Sequence, residues 1–188
     1  GHPAAIAALK PGETVLDLGS GGGLDVFLAA RQVGRRGRAI GVDMTPEMIE
    51  RARKNAERFA RRTGLRNVEF RLGEIEHLPV ADASVDVVIS NCVLNLSPDK
   101  AQVWKEIARV LKPGGRVAIS DLALRKPLPP FLRRSVEALV GCIAGAATPR
   151  TIRTMMRNAG LTGIRLIPRP GFEEWLARPY TGRKRQVL

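Results

Sequence analysis

A short apolar run, Val15-Leu16-Asp17-Leu18, stops abruptly at Gly19-Ser20-Gly21-Gly22-Gly23, and a helix-like segment, Leu24–Val33, follows at once, with Leu24, Phe27, Leu28 and Ala30 expected to face inward. A strand that turns into a helix through four glycines leaves its backbone open to close approach by another group. That arrangement restricts the chain to the first unit of a parallel α/β sheet. The rest of the sequence keeps the alternation. Apolar, β-rich runs at 39–43, 68–72, 85–91 and 116–121 are separated by segments of helical period, 46–62 and 99–111. Thr45-Pro46-Glu47 is expected to cap the second helix, and Lys112-Pro113-Gly114-Gly115 to stop the third. Two further helices are expected at 129–146 and 149–159, then a sixth strand at 163–168 with no clear seventh. The fold class is α/β, a doubly wound and mostly parallel sheet.

A chain of 188 residues, 44% hydrophobic and 26% charged, can bury one core. These values exclude a disordered chain, a collagen and a disulfide scaffold. No apolar run approaches the ~18 residues of a membrane span, and no basic leader precedes an apolar stretch. The first residue is Gly1 rather than Met, which leads us to expect upstream residues beyond this sequence. The two cysteines, Cys92 and Cys142, lie 50 positions apart without a CxxC pair. A reducing, cytoplasmic setting is expected. The net charge of +13 is carried mostly by arginine. Arg51, Arg58 and Arg62 fall on one helical side and alternate with Glu47, Glu50 and Glu57, the pattern of a solvated face. A nucleic-acid partner is therefore not expected.

In doubly wound sheets ligands sit beyond the carboxyl ends of the strands, where strand order reverses. A dinucleotide loop would place glycine at position 24, and Leu24 stands there. Asp17, two residues before the first glycine, suits a cationic amine better than a pyrophosphate. Asp43 closes the second strand, where a carboxylate can accept both hydroxyls of a ribose. Amine plus ribose describes S-adenosyl-L-methionine. The expected cofactor residues are Asp17, Gly19, Ser20, Gly21, Gly23, Asp43, Met44, Gly73, Glu74, Ile75 and Asn91, with Met44 and Ile75 as apolar faces for adenine. Core packing is the rival role for Met44. Glu76 reads as a solvated loop acid, His77 as a satisfied loop histidine rather than a base, and Asn95 as a strand-end cap.

Taken together, these segments resemble the arsenite S-adenosylmethionine methyltransferases among the class I methyltransferases. The similarity spans about residues 3–160. It rests on Leu16-Asp17-Leu18-Gly19-Ser20-Gly21-Gly22-Gly23, Gly41-Val42-Asp43-Met44-Thr45-Pro46-Glu47-Met48 and Gly73-Glu74-Ile75-Glu76-His77-Leu78-Pro79. It continues in Ser90-Asn91-Cys92-Val93-Leu94-Asn95-Leu96-Ser97-Pro98-Asp99-Lys100 and Gly141-Cys142-Ile143-Ala144-Gly145-Ala146. The resemblance implies a Rossmann-like fold and methyl transfer to trivalent arsenic. It makes Cys92 and Cys142 the catalytic arsenic ligands and a thiol such as glutathione or thioredoxin the reductant. The family's third cysteine, in a Cys-Gly-x-Pro segment, matches the position before Gly1. Residues 1–188 read as a single domain, about 1–122 the cofactor core and about 123–188 the substrate side and tail.

Trivalent arsenic is soft and binds thiolates. Its lone pair can attack a methyl without a base, which suits a chain with no evident acid–base dyad. Basic surroundings are expected to favour the thiolates. Other readings remain open: transfer to a small organic acceptor such as a quinone precursor, an RNA methyltransferase, or a cofactor-binding protein without turnover. Only 4% aromatic residues leave few platforms for nucleic-acid bases.

Overall fold

The computed structural model of the chain describes residues 7–126, 143 and 145–168. Five strands form one sheet: β1 (Thr14–Leu18), β2 (Arg38–Asp43), β3 (Val68–Leu72), β4 (Val85–Asn91) and β5 (Leu111–Ser120). Their order is β3-β2-β1-β4-β5 with every pair parallel. The direction of winding reverses between β1 and β4, and that switch point is where the glycine turn opens. Among the described residues four helices flank the sheet: α1 (Leu24–Val33), α2 (Pro46–Thr63), α3 (Lys100–Val110) and α4 (Pro149–Asn158).

Side chains alternate along each strand, so the sheet feeds two cores. Val15, Val87 and Ile89 pack with Val26, Ala29, Ala30 and Val33 of α1 and Ile49, Ala52 and Phe59 of α2. On the other face Leu16, Leu18, Val85 and Val88 meet Val103, Trp104, Ile107 and Val110 of α3, with Ile152, Met155 and Met156 of α4 against them. The arginine face of α2 is solvated: Arg51, Arg58 and Arg62 are all exposed.

The structure corrects several expectations. Leu24 does not face the core but is 72% exposed, because α1 turns its small residues Ala29 and Ala30 onto the sheet. Thr45 precedes α2 without a side-chain capping bond; its carbonyl accepts from Met48 and Ile49, while Pro46 fills the first turn. Asp99 does cap α3, accepting from the Gln102 N–H at 2.9 Å. The Pro-Gly stop ends α3, yet Leu111 pairs at once with Val85. The irregularity between Val85 and Val87 then lets Pro113 and Gly114 bulge before pairing resumes at Arg116. Residues 163–168 form no strand: Gly163 adopts φ +63°, Ile167 is exposed and Pro168 has no N–H to donate. The expected 129–146 helix falls largely outside the described residues. Its end is not helical, since the Ala146 N–H donates to Ile143 in a turn.

Candidate active site

The five parallel strands end on one edge of the sheet, and the glycine turn opens there from the central strand β1. Gly19, Gly21 and Gly23 have φ of +68°, +49° and +94°, which a side chain would strain. The turn is stitched to β2: the N–H groups of Gly19 and Ser20 both donate to the Val42 carbonyl, at 2.8 and 3.0 Å. Gly21 donates to Oδ2 of Asp43 at 2.8 Å, and Thr45 to its Oδ1 at 2.9 Å. Asp43 therefore fixes the turn with one lone pair of each oxygen and keeps others for a ligand hydroxyl. The Gly73 N–H donates to the Asp43 carbonyl at 3.0 Å, bringing the loop after β3 beside it.

Asp17, at 3% exposure, is the buried acid of the site. Burial holds its carboxyl well above the usual range, and the nearby charges of Asp25 and Asp43 add to the effect. Ser20 is buried too; its hydroxyl lies against Gly41 and has no hydrogen-bond partner among the described residues. Met44 is 69% exposed, which removes the core-packing alternative. Leu24 opens α1 just past the turn, so two exposed apolar side chains flank these polar groups. Ile75 is buried with Leu78 and Val80, whereas Glu74 is exposed.

This loop has an anchor the sequence reading missed. Oε2 of Glu106 accepts the Leu78 N–H at 2.7 Å. Arg109 grips Glu106 through two bonds of 2.7 Å and donates to the carbonyls of Leu78 and Val80 at 3.0 and 2.8 Å. Glu76 is not a solvated acid. It is half-buried, takes the Ser97 hydroxyl, and accepts at its carbonyl from Gln102 at 3.2 Å. His77 is exposed.

Asn91 ends β4 half-buried, and Cys92 follows with φ +57°, a left-handed backbone uncommon for a residue other than glycine. The Cys92 N–H donates to the Ser120 carbonyl at 2.9 Å. Val93 packs so tightly on the glycine turn that a Cβ on Gly19 would stand 2.2 Å from its Cγ2. Cys92 is exposed on one side, yet the chain packed on its other side withdraws water and pushes the thiol up, with Asp121 adding repulsion. An acid, Asp121, raises the thiol where basic surroundings were expected to lower it. Asp121 is itself raised by burial, partly offset by N–H groups from Leu122 and Asn95. Burial lowers Lys100 against the pull of Asp121 and Glu76. Cys142 lies outside the described residues.

A switch-point turn rich in glycine, an acid buried at the end of β1 and a second acid closing β2 define a domain for an amine- and ribose-bearing ligand. A family model described as "Methyltransferase domain" matches residues 9–160, and the chain belongs to that family. It is 52% identical over 177 residues to an arsenite methyltransferase of Halobacterium salinarum, aligning 94% of this chain with 44% of that protein. A demethylmenaquinone methyltransferase of Lactobacillus johnsonii is 35% identical, over 69% of this chain and 51% of that protein. Among solved structures, an arsenic(III) S-adenosylmethionine methyltransferase from Chlamydomonas reinhardtii superposes with a TM-score of 0.76 at 44% identity. That match covers 80% of this chain and 52% of the other. The chain thus spans about half the length of the arsenite methyltransferases it matches.

Proposed function

We propose that the chain binds S-adenosyl-L-methionine and transfers its methyl group to trivalent arsenic held by Cys92 and Cys142. The observation that carries this reading is the contact between Gly19 and Val93, which ties the cofactor turn to the residue next to Cys92. The residues fit the cofactor. Asp17 is a buried carboxylate in want of a cation, Ser20 offers an unpartnered hydroxyl, and Met44 exposes an apolar face. When bound, S-adenosyl-L-methionine supplies an electrophilic sulfonium methyl. Asp17 holds the amine, Asp43 accepts from the ribose hydroxyls, Met44 and Ile75 flank the adenine with Gly73 and Glu74 at its edge, and Asn91 orients the methyl end. Cys92 and Cys142 displace hydroxyls from arsenite, each thiol proton leaving with a hydroxyl as water. Arsenic so held keeps its lone pair, and no residue need remove a proton. The residues then contribute positioning and exclusion of water.

A cytoplasmic setting would keep the thiols reduced, with glutathione or thioredoxin as reductant. Among the described residues no helix is long and apolar enough to cross a membrane. The deciding experiment is arsenic speciation after incubation with arsenite, the cofactor and excess thiol, wild type beside Cys92→Ser and Cys142→Ser. Methylated arsenic that disappears in both variants is the expected result. Methylation of a naphthoquinone precursor that survives both substitutions would instead establish the organic-acceptor reading, which the demethylmenaquinone relative favours.

A further inference from the structure

Two turns meet at the amino ends of β2 and β3, on the edge of the sheet opposite the glycine turn. Gly34-Arg35-Arg36-Gly37 joins α1 to β2, and Gly64-Leu65-Arg66-Asn67 joins α2 to β3. Asn67 staples one to the other. Its Nδ2 donates to the carbonyls of Ala30 at 3.0 Å and Gly34 at 2.8 Å, and its own carbonyl accepts the Ala39 N–H at 2.9 Å. Gly37 is packed so closely that a Cβ there would stand 2.4 Å from Cβ of Val33 and 2.7 Å from the Glu13 carbonyl oxygen. The backbone that carries these arginines is therefore fixed from both sides.

Arg35, Arg36, Arg38 and Arg66 line an open cavity of about 520 Å³ here, with Glu69 the one acid in its wall. The volume lies within the ~300–1,000 Å³ of small-molecule sites. Glu69 is already shared, taking Arg38 on one oxygen and Arg71 on the other. Among the described residues Arg35, Arg36 and Arg66 have no ion pair and no side-chain hydrogen bond. Arg35 reaches across to the second turn, its Nη2 3.4 Å from where a Cβ on Gly64 would lie. Like charges gathered without an anion repel one another. The arginines of α2 avoid that cost by alternating with Glu47, Glu50 and Glu57, and these do not.

We infer that these two turns form a binding site for a polyphosphate chain, free or carried by a nucleotide, separate from the cofactor turn. Guanidinium groups meet phosphate oxygens in forked pairs of hydrogen bonds and stay charged throughout the physiological pH range. The uncompensated charge of Arg35, Arg36 and Arg66 answers a di- or triphosphate better than a single carboxylate. An extended nucleic acid would call for rings on which its bases stack, and no aromatic residue lines this cavity. The site makes no use of Asp17, Asp43 or Cys92, so it stands whatever methyl acceptor the chain has.

Titration calorimetry with sodium tripolyphosphate tests the site, in ~150 mM sodium chloride so that diffuse attraction is screened. Wild type should bind one equivalent. Arg35→Gln combined with Arg66→Gln should weaken binding at least ~10-fold, since two charge-assisted contacts are lost. Arg153→Gln combined with Arg157→Gln removes the same charge from exposed positions of α4, on the other face of the sheet, and should change affinity less than about twofold. Circular dichroism checks folding, and Arg36→Gln, expected to weaken binding by about threefold or more, stands in should the first pair fail to fold. Adenosine triphosphate held at least as tightly as tripolyphosphate would put the chain on a nucleotide; weaker binding would make the free polyphosphate the ligand. No binding of tripolyphosphate, equal losses in the two paired variants, or binding of an RNA oligonucleotide by a protein that ignores tripolyphosphate would each overturn the inference.

Discussion

At the scale of single residues, Asp17 and Cys92 are both held in the protonation state their proposed roles do not use. Burial favours protonated Asp17, and the folded-state value lies above the unfolded one. The stability it contributes is full below the unfolded value and is lost as pH rises through the folded value. Asp17→Asn should therefore flatten that pH dependence and raise the apo melting temperature at neutral pH. The same change removes a charge-assisted contact of about 1.5–3 kcal/mol, weakening cofactor binding by ~10–150-fold. Calorimetry and a melting series across pH read both effects; weaker binding without the melting gain would refute the account. Cys92 is raised by burial and by Asp121. Its alkylation by iodoacetamide should remain slow at neutral pH and climb above the ordinary thiol range. Asp121→Asn removes the repelling charge and shifts the climb to lower pH, keeping one oxygen for the Leu122 N–H and the Asn95 side-chain amide and giving up the bond from the Asn95 N–H. An unchanged pH profile would show that Asp121 does not govern the thiol.

Among the elements, the loop after β3 depends most on contacts remote in sequence. Leu78 hangs on Glu106, and Glu106 is buried because Arg109 neutralises it. Arg109→Ala leaves that carboxylate without its cation and two carbonyls without donors, a loss of about 2 kcal/mol. For a chain of this size the melting temperature should fall by roughly 4–8 °C. The apparent cofactor affinity should drop with it, because Gly73, Glu74 and Ile75 belong to this loop; unchanged affinity would show that the clamp serves stability only. The clamp also marks where the sequence ceased to be legible. The glycine turn, Asp17 and Asp43 could be read because strand, turn and helix signals are local and the acids stand at fixed offsets from them. Glu106 and Arg109 read as ordinary polar residues of α3, since the loop groups they hold, at Leu78 and Val80, lie 28 or more positions away. Asn95 passed for a cap and Glu76 for a solvated acid for the same reason. Leu24 was misjudged because an apolar first-turn residue looks inward by period alone, and only the pitch of α1 on the sheet shows that it faces out.

Across the whole molecule, a chain of net charge +13 builds its ligand site from acids. Arg35, Arg36, Arg38 and Arg66 gather at the amino ends of β2 and β3, where they line a cavity of about 520 Å³. The glycine turn opens at the carboxyl ends, a full strand length away. A five- or six-residue strand spans about 17–20 Å, roughly twice the Debye length at physiological salt. Those four arginines therefore add to the chain's charge without setting the field at the turn, where Asp17, Asp25 and Asp43 cluster and Arg51 alone is seen beside Gly22 among the described arginines. S-adenosyl-L-methionine carries a sulfonium and an ammonium against one carboxylate, so it arrives as a net cation. If the local acids govern the encounter, added salt screens an attraction and affinity falls. If the global charge governed it, salt would screen a repulsion and affinity would rise. Titration calorimetry from low to high sodium chloride should show binding weaken by about two- to fivefold, the size of one partly screened charge contact. The same protein should still be retained on a cation-exchange resin at low salt. Affinity that strengthens with salt would mean that the basic faces reach the site, and that Asp17 and Asp43 bind the cofactor against the field of the molecule around them.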